Sequence, residues 1–150
     1  MSWQTSTPKH RRDRCCRLTF HFPYSLRDRL VAEARAAYPK ECCGLVEGVR
    51  KGEAVRALAL HPAANLAEDT ADGFLIDPAL HLGLSRTLRG TGREIVGCYH
   101  SHPNGRVQPS ARDRAAGCEE GFVWLIAAVA DEVTLAAYEG PDFRPVALAF

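Results

Sequence analysis

The chain has 150 residues, 46% hydrophobic and 25% charged, which makes one globular domain long enough to bury a core. Lys plus Arg is 19 and Asp plus Glu is 18, a formal net charge of +1, so there is no global electrostatic footprint for nucleic acid or an acidic lipid surface. The longest apolar run, 122–130, is too short to cross a bilayer.

Residues 1–16 are polar and basic, with Arg11, Arg12 and Arg14, and show no periodicity. They are predicted to form a disordered tail ahead of a domain over 17–150. No apolar stretch follows the positive charges, so the segment is not a secretory signal and the expected location is the cytoplasm. The cysteines are read in that light. Cys15–Cys16 and Cys42–Cys43 are adjacent pairs with poor bridging geometry, and no C-x-x-C occurs. Most of the six are expected to be free thiols packed as small hydrophobes.

Leu18, Phe20 and Phe22 alternate with polar residues and predict a first strand, ended by Pro23. Leu26, Leu30, Ala34 and Tyr38 recur every four positions and predict an amphipathic helix closed by Pro39. Strands are predicted over 42–47 and 54–60, joined by a turn around Gly48 and Gly52, and a polar loop over 62–73. Asp77 before Pro78 is a helix start, an N-cap carboxylate followed by proline at the first helical position. Leu80, Leu84 and Leu88 form that helix's apolar face, and Gly90 and Gly92 end it. A strand over 94–99 leads into His100, a loop over 103–109 follows, and a short helix is predicted over 110–118. Three further strands are predicted over 122–130, 133–138 and 143–148, the first apolar enough to be buried on both faces. The fold class is therefore α/β or α+β, a mixed β-sheet with about three flanking helices.

The informative stretch is His100-Ser101-His102-Pro103, followed after a loop by Ser110-Ala111-Arg112-Asp113. In extended backbone, residues two apart point to one side, so His100 and His102 can aim two imidazoles at one point. Asp113, at the start of the next helix, can add a carboxylate oxygen. Two histidines and a carboxylate are a common three-ligand set for catalytic zinc, with the fourth position left to water. Ser110-x-x-Asp113 also reads as a helix cap. The two readings are compatible, since Ser110 can start the helix and still face the metal.

Together these residues resemble the JAMM motif of the JAB/MPN zinc metalloproteases. The segment Pro39-Lys40-Glu41-Cys42-Cys43-Gly44-Leu45 is similar to the family's P-x-E-x-C-G-L segment, and Asn65 and Phe74-Leu75-Ile76-Asp77-Pro78 add further matches. The resemblance spans about residues 17 to 150 and implies a cytidine-deaminase-like JAB/MPN domain of the compact, stand-alone prokaryotic type. It implies one zinc ion per chain on His100, His102 and Asp113, with Glu41 as general base and Ser110 as donor to the tetrahedral oxyanion. Ser101 is expected to support the histidines, and Gly44 and Gly97 to permit close backbone packing. Cys98-Tyr99 departs from the commoner Trp-Tyr. The implied activity is hydrolysis of an amide bond, often an isopeptide bond, after the C-terminal Gly-Gly of a ubiquitin-like or sulfur-carrier protein. The competing reading is a non-catalytic MPN scaffold, whose members usually lack the metal ligands that are all present here. A nucleoside deaminase is disfavoured because H-x-E and P-C-x-x-C are absent. A DNA-repair branch is disfavoured because Ser101, not Asn, stands between the histidines.

Overall fold

The computed structural model describes residues 18–117 and 119–150. The predicted basic tail, Cys15, Cys16 and Cys118 lie outside the described residues. The elements run β1 (Thr19–His21), α1 (Tyr24–Ala37), β2 (Cys43–Lys51), β3 (Ala54–Ala63), α2 (Pro78–Leu88), β4 (Glu94–His102), α3 (Ala111–Ala116), β5 (Val123–Val129), β6 (Val133–Glu139) and β7 (Arg144–Ala149). Among the described residues, no helix is long and apolar enough to cross a membrane.

The strands form one mixed sheet in the order β1-β3-β2-β4-β5-β6-β7, closed into a barrel because β1 pairs in parallel with both β3 and β7. The mixed α+β class agrees with the expectation; the closure was not foreseen, because three residues of β1 serve two neighbours at once. Near the middle of the order, β4 pairs antiparallel with β2 and parallel with β5. Every residue of β5 is buried, as its unbroken apolar run requires.

Two apolar clusters occupy opposite faces. Leu26, Leu30 and Ala34 of α1 pack with Phe20, Val46, Val55, Val96, Tyr99 and Leu125. Leu80 and Leu84 of α2 join Phe74 and Ile76 over Leu45, Cys98, Trp124 and Phe143. The helix signal at Asp77 is met: its side chain accepts from the Ala79 N–H, and Pro78 is the first helical residue.

Two boundaries differ from expectation. Gly48 is not in a turn; β2 runs through it to Lys51, and the turn is at Gly52, where φ is +59°. Gly48 is needed instead because a Cβ there would overlap the Arg56 carbonyl oxygen across the hairpin. The third helix is shorter than 110–118, ending at Ala116 with Gly117 as a C-cap at φ 65°.

A bulge in β4 decides which way the histidines face. Val46 pairs with Gly97 and Glu47 with Ile95, so Val96 has no opposite residue on β2. One extra residue reverses the facing of everything after it. Cys98 therefore joins the α2-side cluster, and Tyr99 joins the α1-side cluster. Gly97 follows the bulge and pairs with Val123 of β5, where a Cβ would overlap the Val123 carbonyl oxygen. Because that obstacle is backbone, Gly97→Ala is expected to cost about 1–3 kcal/mol in urea unfolding. Gly83, inside α2 with open space around it, is the control. Gly83→Ala is expected to stabilise by about 0.5–1 kcal/mol through helix propensity, the opposite sign.

Candidate metal centre

His100 and His102 sit at the end of β4 on one face, with Asp113 opposite them in the first turn of α3, all three buried. The His100 Nε2 and His102 Nε2 atoms are 2.9 Å apart, and each lies 3.1 Å from Asp113 Oδ2. Three donor atoms thus converge on one point. Among the described residues, these are the three that form a group able to hold a metal ion.

The neighbours set the chemistry of each donor. The Ser110 hydroxyl oxygen accepts from the Asp113 N–H at 3.0 Å, and Asp113 Oδ2 accepts from the Ser110 N–H at 2.8 Å. This is a capping box, and the capped carboxylate oxygen is the same one that faces the histidines. The cap therefore aims the donor. His102 Nδ1 lies 2.8 Å from the Arg106 carbonyl oxygen, a contact only an N–H can make. In the neutral ring, Nε2 is then a bare lone pair, the state a metal ligand needs. His100 is fully buried and held by aromatics: Phe74 stacks on it with centroids 4.3 Å apart, and Trp124 meets it edge-on at 5.6 Å.

Ionisation follows from these contacts. Burial holds the His100 imidazolium below its ordinary value. Burial also opposes charge on His102, but Asp113 and the Arg106 carbonyl outweigh it and raise its pKa. For Asp113, burial opposes ionisation, yet hydrogen bonds from both imidazoles and the Ser110 N–H hold it well below the usual carboxylate range. Once both rings present Nε2 without its proton, as metal binding requires, these atoms are two imidazole lone pairs and an ionised oxygen about 3 Å apart. The donor set therefore fits a divalent cation.

Glu41 precedes β2, close enough for His102 and Asp113 to influence its charge. Burial pushes its carboxyl up to about 7, and its Oε2 is buried without a hydrogen bond among the described residues. Ser101 faces away from the histidines. Its hydroxyl oxygen accepts from the Cys42 N–H at 2.8 Å, and its N–H donates to the Cys42 carbonyl at 3.0 Å. It thus ties the segment after Glu41 to the strand that bears both histidines. Cys42 and Cys43 are free and buried, and burial pushes their thiols up to about 11 and about 12, which suits packing over redox sensing.

Sequence reasoning passed over Phe74 and Trp124 as the wall that orients His100, and over the Arg106 carbonyl. Trp124 was reachable from register: Cys98 pairs with it across β4 and β5, which puts it on the histidine face. The Arg106 contact depends on the loop's path and has no sequence signal.

The family model for prokaryotic homologs of the JAB domain matches residues 23–139, and the chain belongs to that family. A desampylase of Haloferax volcanii is 31% identical over 127 residues, covering 82% of this chain and 90% of that protein. A probable TtuB-protein conjugate cleaving protease of Thermus thermophilus is 32% identical over 96 residues, covering 64% of this chain and 62% of that protein. The crystal structure of a JAB1/MPN domain protein from Archaeoglobus fulgidus shares the fold, with a TM-score of 0.56 at 18% identity over 88% of this chain and 99% of that one. Family membership and the buried donor group together point to a metal site.

The raised Glu41 pKa makes a stability test. The folded chain binds this proton more tightly than the unfolded chain, so Glu41's contribution is full below pH 4.5 and is lost as pH rises through about 7. In chelator-treated protein, Glu41→Gln is expected to melt higher than wild type at pH 8 and level with it at pH 4, measured by thermal unfolding.

Proposed function

We propose that this chain is a zinc-dependent cytoplasmic isopeptidase or peptidase. Its substrate is the amide bond after the C-terminal Gly-Gly of a ubiquitin-like or sulfur-carrier protein. The observation that carries the reading is the triangle of His100 Nε2, His102 Nε2 and Asp113 Oδ2, with Glu41 beside it. Its sides of 2.9 to 3.1 Å lie a few tenths of an ångström below the spacing of about 3.3 Å between ligands of a tetrahedral zinc with bonds of about 2.0–2.1 Å. Two histidines and one carboxylate also leave a coordination position open, as in hydrolytic zinc sites. The relatives named for cleaving protein conjugates support the same substrate class.

When bound, zinc would acidify water toward pKa 7 and polarise the scissile carbonyl. Glu41 takes the proton from the attacking water as oxygen adds to the carbonyl carbon. Its burial suits this, because a carboxylate with a raised pKa is a stronger base. Ser110 Oγ already accepts from the Asp113 N–H, so its own hydrogen is available to the oxyanion that forms. Glu41 then delivers the proton to the departing nitrogen; the C–N bond breaks, leaving a glycine carboxylate and a free amine. The donors and Glu41 are all buried, so a slim backbone reaches them most easily, a physical reason for two glycines. The segment before the glycines can bind as an added strand. A scaffold role gives no reason for three metal-ligand atoms buried together.

The test uses a ubiquitin-fold protein whose C-terminal Gly-Gly is joined to a short peptide, with product masses followed in time. Cleavage directly after Gly-Gly is expected, abolished by a chelator and restored by zinc. Wild type is expected to hold one zinc per chain after dialysis and His102→Ala almost none. Equal cleavage of an unstructured peptide with bulky residues at those positions would overturn the assignment. In the same assay, Glu41→Gln is expected to lose about 10²–10⁴ in turnover. Ser110→Ala separates its two roles: oxyanion donation predicts a loss of about 10²–10³ in kcat, and capping alone predicts about 1 kcal/mol of stability with turnover intact. Melts beside steady-state kinetics distinguish them.

A further inference from the structure

Asn65 lies in the loop after β3, 24 residues beyond Glu41, and its side chain is used to capacity. Nδ2 donates to the Glu41 carbonyl at 3.1 Å and the Gly73 carbonyl at 2.9 Å. Oδ1 accepts from the Ala67 N–H at 3.0 Å and the Leu75 N–H at 3.1 Å. Two carbonyls on one side and two N–H groups on the other allow only one orientation of the amide. The loop it organises closes on itself, with the Leu66 N–H donating to the Leu75 carbonyl at 2.9 Å, and is tied back to Glu41, whose N–H donates to the Thr70 carbonyl at 2.7 Å.

These bonds fix the Glu41-Cys42 dipeptide from two sides. The loop holds Glu41 through its N–H and its carbonyl, and Ser101 holds Cys42 through its N–H and its carbonyl. The far end of the Glu41 side chain has no such anchor, since Oε2 is buried without a hydrogen bond among the described residues. Where the carboxylate sits is therefore decided at the backbone. On the Ser101 side, the hold is a pair of bonds to β4. On the loop side, the carbonyl bond to Asn65 is the side-chain contribution.

We propose that Asn65 is a positioning residue for the reaction: its Nδ2 holds the Glu41 peptide so that the carboxylate faces the donor triangle. This rests on Glu41 being the general base. The same amide has a second task, folding the loop through Oδ1, and one substitution separates the two. Asn65→Asp keeps an oxygen for the Ala67 and Leu75 N–H groups and replaces the donor to Glu41 and Gly73 with a second acceptor.

With the Gly-Gly fusion as substrate, Asn65→Asp is expected to lose about 10- to 100-fold in kcat, the scale of a misplacement of about 1 Å, with KM within about threefold of wild type. Zinc content stays at the wild-type level. Amide hydrogen exchange, which needs no substrate, is expected to quicken at Glu41 while Ala67 and Leu75 stay as slow as in wild type. In a Glu41→Gln background, the same substitution is expected to cost nothing further, with product quantified over long incubations. An equal loss in both backgrounds, a rise in KM with kcat unchanged, or wild-type turnover would each overturn the proposal. Should Asn65→Asp unfold below the assay temperature, Asn65→Ala supplies the kcat comparison and cycle, with exchange at Ala67 and Leu75 reporting how far loss of Oδ1 has loosened the loop. Failure of the general-base reading is separately visible, as wild-type turnover in Glu41→Gln alone, and exchange of the Glu41 N–H, which bonds the Thr70 carbonyl, still reports whether losing Nδ2 loosens the loop's hold on Glu41.

Discussion

Three electron-rich atoms held 2.9 to 3.1 Å apart and out of water are the constraint around which the rest is arranged. Left to themselves they would separate or take up protons, because a buried charge without compensation costs several kcal/mol. The chain resists this with bonds aimed from behind: the Ser110 N–H on Asp113, the Arg106 carbonyl on His102, and Phe74 and Trp124 against His100. Phe74 and Trp124 come from segments far from the donors in sequence, so the site is complete only once the tertiary structure is. A cation that relieves the repulsion also stabilises the fold that gathers the donors.

The strand bearing the histidines is pinned from both faces. On the α2 side are the aromatics around His100. On the α1 side, Tyr99 is fully buried and its hydroxyl donates to Glu33 Oε2 of α1 at 2.8 Å. Gly44 makes room for that ring, since a Cβ there would overlap both the Tyr99 phenol and the His61 carbonyl. Residues of alternating facing thus divide the labour: Cys98, His100 and His102 build the site, while Tyr99 and Ser101 bind the strand to the helix and to the segment after Glu41. The bulge at Val96 sets this division, because it decides which residues take which side.

What was legible in the sequence is what local geometry governs. The alternation of His100 and His102, the cap formed by Ser110 with Asp113, and the start of α2 at Asp77-Pro78 each depend on a few bonds along one stretch of chain. The turn assigned to Gly48 shows the limit of such signals. A glycine can mean a turn or a close approach, and only the partner strand, here Arg56, says which. The closure of the sheet by β1 and the stacking of Phe74 on His100 were unreadable for the same reason: both join residues far apart in sequence, and no periodicity records them.

The sheet's closure also bears on where the fold can be trimmed. The family model spans residues 23–139, which leaves out β1 and β7. Those two strands close the ring: Phe20 lies between Val55 of β3 and Leu148 of β7, and β7 in turn pairs with β6. A chain shortened to the shared segment would keep every donor of the metal centre. It would also present unpaired N–H and carbonyl rows on β3 and β6, which are templates for pairing with other copies. In this protein the stretch that supplies the donors and the stretch that closes the sheet are different lengths of chain.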